Sequence, residues 1–189
     1  MWQPYKDQNP VVASQSNVTS SDFWNLPPVK AFNTGVTTSR GKTLEIDWPS
    51  MSLPSTYYYI SLYFQDNRQQ SPFSWRVFDV SINGHLFFSN LNATAKGVTV
   101  YAAQWPLSGQ TKISLTPTAG TPVGPVINAG EIYQILPLGG RTHTRDGNLL
   151  ISLFCNLYAI TLSICVWDPI STRDYNISYC KVHLIKSVL

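Results

Sequence analysis

The sequence predicts an all-β fold, an antiparallel β-sandwich, and three observations carry that expectation. Charged residues make up only 12% of the 189-residue chain and hydrophobic ones 43%, with glutamate at positions 45 and 131 alone. The Glu- and Lys-rich surface of a helical protein is therefore missing. Thirteen prolines and eleven glycines cut the chain into short runs. Those runs alternate polar and apolar residues with a period of two, the mark of half-buried strands.

In chain order, residues 11–25 are polar and serine-rich and read as loop, and residues 29–38 as a weak strand. Thr43-Leu-Glu-Ile-Asp-Trp48 places Leu44, Ile46 and Trp48 on one face and Glu45 and Asp47 on the other, and Pro49 ends it. Residues 57–64 (Tyr-Tyr-Tyr-Ile-Ser-Leu-Tyr-Phe) form the strongest strand signal. Tyr58, Ile60, Leu62 and Phe64 share a face predicted to meet the core. Tyr57, Tyr59, Ser61 and Tyr63 share a face predicted to be lightly covered. Residues 76–82 and 85–88 flank Asn83-Gly84. That dipeptide predicts a two-residue hairpin turn, because both positions need positive φ and these residues adopt it at little cost. Further strands are expected at 98–105 and 112–116, a loop at 117–125 and a last strand at 127–136, closed by Pro137 and Gly139-Gly140. Strands at this spacing, with no helical pattern between them, point to a sandwich or jelly roll.

The character changes after Asp146. Residues 1–146 are read as the sandwich lobe and 147–189 as a divergent hydrophobic tail, with a helix in its apolar part as one expectation. Leu149 to Trp167 is an uncharged run that just reaches the length of a membrane-spanning helix, so membrane contact there is one expectation and an accidental tail the other. All three cysteines (155, 165 and 180) fall in this tail, so the lobe is expected to need no disulfide. The first residues contain no apolar signal-peptide core.

Composition and motifs argue against several function classes. A net charge of +3 with scattered lysines and arginines offers no basic block to track a phosphate backbone, so no nucleic-acid partner is expected. No nucleophile elbow, phosphate-cradling loop or zinc-protease helix motif occurs, and the chain is read as a non-enzyme. Glu45 and Asp47, at i and i+2 on one strand face, could meet the separation of a glycosidase pair, but nothing else supports that role and they read as a solvated strand face. His85, His143 and His183 are far apart, so neither a metal site nor a cofactor is predicted.

The aromatics are the candidate binding set: Tyr57, Tyr59 and Tyr63 on one strand face, with Trp75, Tyr101 and Trp105 in or near neighbouring elements. Flat rings beside a few polar groups suit a sugar or another small ligand in a shallow site, although single aromatics more often fill a core. Asn17-Val-Thr, Asn92-Ala-Thr and Asn176-Ile-Ser fit the N-glycosylation sequon. The first two fall in expected loops.

Three stretches, taken in order and spacing, resemble the malectin-like domain of plant receptor-like kinases and leucine-rich-repeat receptor-like proteins. They are residues 57–66 (Tyr-Tyr-Tyr-Ile-Ser-Leu-Tyr-Phe-Gln-Asp), 76–84 (Arg-Val-Phe-Asp-Val-Ser-Ile-Asn-Gly) and 125–135 (Pro-Val-Ile-Asn-Ala-Gly-Glu-Ile-Tyr-Gln-Ile). Trp2-Gln-Pro-Tyr-Lys-Asp7 resembles the opening of the second of two such lobes. The resemblance implies a jelly-roll-like sandwich related to the diglucose-binding malectin, on the extracellular side of a plasma-membrane receptor. It also implies a second malectin-like lobe or a co-receptor as partner. Animal malectin contacts sugar through an acidic residue just before its last strand. Here no Asp or Glu lies between Thr116 and Asn128, which raises the weight of a peptide ligand. The expectation is thus a non-catalytic recognition module for a cell-wall carbohydrate or a peptide. The alternative is a structural lobe with no small ligand of its own.

Overall fold

In the computed structural model, residues 2–137 and 179–188 are described, apart from 16, 24, 70 and 72. Two short strands, β1 (Trp2–Pro4) and β2 (Val11–Ala13), come first, and a 3-10 turn (Val29–Phe32) leads into β3 (Thr34–Thr37). The alternating runs follow as β4 (Leu44–Asp47), β5 (Leu53–Phe64), β6 (Val77–Ile82), β7 (His85–Asn92), β8 (Val98–Gly109) and β9 (Lys112–Pro117). β10 (Val126–Ile127), β11 (Ala129–Pro137) and β12 (Tyr179–Val188) complete the described elements. The fold is an all-β antiparallel sandwich. One sheet runs β1-β12-β11-β5-β8, the opposing one β4-β9-β6-β7, and a small third sheet β10-β3-β2. Only β1 and β12 pair in parallel among these strands.

The main core lies between the five- and four-stranded sheets. Period-two alternation sends Tyr58, Ile60, Leu62 and Phe64 from β5 against Leu44, Ile46, Phe78, Val80, Ile82, Ile113 and Leu115 from the facing sheet. The hairpin holds this arrangement in register. Asn83 has φ 51° and Gly84 φ 79°, so Phe78, Val80 and Ile82 are buried while Asp79 and Ser81 stay partly exposed. A one-residue slip would reverse that set.

Several elements differ from the sequence expectation for identifiable reasons. The run 29–38 splits into a 3-10 turn and β3. β8 continues four residues past Trp105 through Pro106. It is the outermost strand of its sheet, where the missing proline N–H removes no ladder bond. β1 and β2 lie in segments without alternation.

Residues 179–188 supply β12, which lies between β11 and β1. The sheet thus includes a strand that follows residue 146 in sequence, after the one expected at 127–136. Ile132 pairs with Ile185 and Tyr133 with His183, leaving Leu184 as an extra residue. That irregularity breaks the period of two in the sequence. The apolar run Leu149 to Trp167 lies outside the described residues, and among the described residues no helix is long and apolar enough to cross a membrane.

Candidate functional site

The tyrosine face of β5 is where the candidate residues meet. Strand register places Tyr101 opposite Ser61 from β8, and Glu131 and Tyr133 opposite Ser61 and Tyr59 from β11. The outer surface of the five-stranded sheet thus carries Tyr57, Tyr59, Ser61, Tyr63, Tyr101, Glu131 and Tyr133. It is not lightly covered along its length. A segment containing Phe23, Ala31 and Phe32 lies over the Tyr63 end and makes a second, smaller core with Tyr63 and Ala129, flanked by Trp2 and Val18. Phe23 and Phe32 stack at 4.7 Å and 5°, and each meets the Tyr63 ring edge-on, at 5.6 Å and 6.4 Å.

Consequently the six candidate aromatics separate. Tyr63 is fully buried and Tyr59 keeps 6% of its surface, so both are corrected from exposed contacts to core residues. Trp105 is half-buried against the main core, because its partner Tyr58 faces inward, and its indole meets Phe87 edge-on at 5.0 Å. Tyr57 and Tyr101 stay 56% and 58% exposed on the open part of the face. The Tyr59 ring lies between Tyr101 (6.2 Å) and Tyr133 (5.8 Å), so the exposed Tyr101 rests on a fixed partner. Trp75 is exposed too, but in the loop before β6, beside an even more exposed Phe73.

Sequence reasoning missed the polar centre of this face. Glu131 is buried on β11. It accepts a short hydrogen bond from the Tyr63 hydroxyl and one of 2.5 Å from the Tyr133 hydroxyl. Asn25 Nδ2 donates to the hydroxyls of Tyr59 (3.0 Å) and Tyr63 (3.1 Å). Burial, reinforced by the bonds to Glu131, pushes the Tyr63 and Tyr133 phenols far above their ordinary value. Burial likewise pushes Tyr59 up to about 12, against the lowering effect of Asn25. All three remain neutral hydrogen-bond donors at physiological pH. Glu131 lies within β11, just past the stretch between Thr116 and Asn128 that holds no acidic residue. Its signal in the sequence is an isolated glutamate inside an apolar run, which burial turns into a hub when tyrosines stand diagonally across from it and two residues along its own strand.

A second buried cluster fixes the loop that carries Trp75. Arg76, read from sequence as one of many scattered surface cations, is instead fully buried. Its Nε donates to Asp66 Oδ2 at 2.8 Å, and its terminal nitrogen donates to Thr37 Oγ1, Pro125 O and Gly124 O. Arg68 binds the same carboxylate with two bonds and reaches Ser74 O at 2.9 Å. Burial pushes the Asp66 carboxyl up, but the bonds and charges of Arg68 and Arg76 outweigh it and hold the group below its ordinary range. Glu45 and Asp47 are exposed, and Glu45 pairs with Lys112 at 3.2 Å across the strands. Among the described residues no group of three His, Cys, Asp or Glu is placed to hold a metal ion. Asn17 and Asn92 are both exposed, although Asn92 is the last residue of β7 rather than part of a loop, and Asn176 lies outside the described residues.

The class these features define is an all-β antiparallel sandwich with an aromatic outer sheet face over a buried polar hub. The chain belongs to the malectin-like domain family, which it matches over residues 1–135. Among curated proteins it is 29% identical over 143 residues to a probable LRR receptor-like protein kinase of Arabidopsis thaliana, a match covering 73% of this chain and 16% of the kinase. A probable LRR receptor-like serine/threonine-protein kinase of the same plant is 24% identical over 176 residues, covering 91% of this chain and 20% of the kinase. The chain therefore spans a fifth or less of these relatives, and the second match necessarily takes in part of residues 147–189. Among solved structures, the ANXUR1 extracellular domain from Arabidopsis thaliana shares the fold with a TM-score of 0.50 at 13% identity, over 70% of this chain and 40% of that one.

Proposed function

We propose that this lobe is a non-catalytic recognition module on the extracellular side of a plant plasma-membrane receptor. In this reading it binds a cell-wall carbohydrate or a peptide on the open part of its tyrosine face. The observation that carries the reading is the pair Tyr57 and Tyr101. Both rings stand more than half exposed on neighbouring paired strands, Tyr57 on β5 and Tyr101 on the edge strand β8, and the Tyr101 ring is backed by Tyr59. Exposed flat rings with polar edges match the alternating C–H and hydroxyl surface of a glycan, and equally a peptide side chain. A docked second lobe or a co-receptor would use the same exposed surface.

The alternative, a structural lobe with no ligand of its own, draws on one observation: Tyr59 and Tyr63 are core residues. One experiment separates the readings. Tyr57→Ala and Tyr101→Ala are each expected to weaken capture on a plant glycan array, or of a peptide pool, by about tenfold, roughly 1.4 kcal/mol. The melting temperature should stay close to that of the parent. The array and the pool decide between sugar and peptide. Absence of binding to both, with a folded parent protein, favours the structural lobe.

A further inference from the structure

The sequons at Asn17 and Asn92 are 75 residues apart in sequence, yet the fold brings them to one end of the sandwich. One side chain ties them together. Gln65 Nε2 donates to Thr19 O (3.1 Å), the third residue of the first sequon, and to Ala95 O (2.9 Å), the residue just past the second. The neighbouring residues repeat the link. Gln15 N donates to Asn67 O at 2.8 Å, and Asp66 N donates to Thr94 O at 3.0 Å. Both asparagines are exposed; residues 17–19 and 93–94 have no regular structure, and Asn92 is the last residue of β7, an edge strand, so neither acceptor amide lies in a sheet interior.

From this placement we infer that Asn17 and Asn92 both carry N-linked glycans and that these clothe the Gln65 end of the lobe. The chemistry is that of the general sequon reaction. The asparagine amide nitrogen attacks the anomeric carbon of a polyprenol-pyrophosphate oligosaccharide. A C–N bond forms as the C–O bond to pyrophosphate breaks; the amide loses one proton, the lipid pyrophosphate leaves, and nothing is oxidised or reduced. The glycans have a geometric consequence. Trp75 precedes Arg76, whose carbonyl accepts from Ala93 N at 3.0 Å, so this exposed residue is one position along the chain from one paired with the Asn92 sequon. Tyr57 lies eight residues along the chain from Gln65, a separation of roughly 26 Å at about 3.3 Å per residue. The sugars therefore shade Trp75 and leave Tyr57 open. The inference rests on the extracellular reading for the route through the secretory pathway and on no ligand.

The test supplies that route directly. The full chain, fused to a cleavable secretion leader, is made in insect cells and analysed by intact mass and glycopeptide spectra. Glycan is expected on both asparagines, and Asn17→Gln and Asn92→Gln should each remove one. Hydroxyl-radical footprinting should then label Trp75 more strongly after enzymatic deglycosylation, with Tyr57 unchanged. A secreted, folded chain bare at either asparagine overturns the inference, and so does a Trp75 footprint that deglycosylation leaves unaltered. Neither result bears on ligand binding by the tyrosine face.

Discussion

Tyr59, Tyr63 and Tyr133 are phenols held protonated by their surroundings, and this gives the lobe a definite alkaline limit. Tyr59 is pushed by burial from 10.0 up to about 12, and the other two move in the same direction. The folded state then keeps protons that the unfolded chain releases, so the stability tied to Tyr59 is complete below pH 10 and drains away as pH rises towards 12. Urea midpoints measured at pH 9 and pH 11.5 should fall accordingly, and Tyr59→Phe should flatten the fall. Arg76 is the other residue on which much depends. Arg76→Ala deprives Asp66 of one of its two guanidinium partners, Thr37 Oγ1 and the Gly124 carbonyl of a donor, and the Pro125 carbonyl of one of its two donors, the Thr37 hydroxyl being the other. Breaking a buried pair of this kind costs about 3–5 kcal/mol, to be read from denaturant unfolding of parent and variant. Arg76→Lys should recover only a part, since an ammonium cannot fork across several acceptors.

Elements were legible in the sequence where a single period of two governed them. β4, β6 and the start of β7, with the Asn83-Gly84 turn between β6 and β7, follow from alternation and turn chemistry alone. So does the inward face of β5. The outward face of β5 was not legible, because its burial depends on Phe23 and Phe32, contributed by a segment whose polar, serine-rich sequence gives no periodic signal. Exposed Tyr57 and buried Tyr63 look alike to any local rule. β12 was hidden for a different reason: its register shift at Leu184 spoils the alternation, and its partners β1 and β11 are remote in sequence. We propose that residues 179–188 belong to the lobe rather than to a separable tail. Truncation after residue 146 would leave one edge of β11 open and β1 without a neighbour. It should lower the melting temperature by roughly 5 °C or more, the response of a domain this size to about 2 kcal/mol. An unchanged melting temperature with better solubility would return the boundary to residue 146.

At the scale of the whole molecule the lobe is layered: a four-stranded sheet, the main core, a five-stranded sheet, and the 23–32 segment over part of the outer face. This layering leaves one stretch of tyrosine surface open. The order of strands in the larger sheet has a mechanical meaning. β1 and β12 run side by side in the same direction, joined in register at Trp2 with Lys186, Gln3 with Ser187 and Pro4 with Val188. Tension applied through chain entering at β1 and leaving from β12 would act along the two strands in opposite senses. It would slide one past the other and load their inter-strand hydrogen bonds together rather than unzip them one at a time. Loaded in that way, the contact is a shear clasp. It would resist such a pull until its bonds failed as a group.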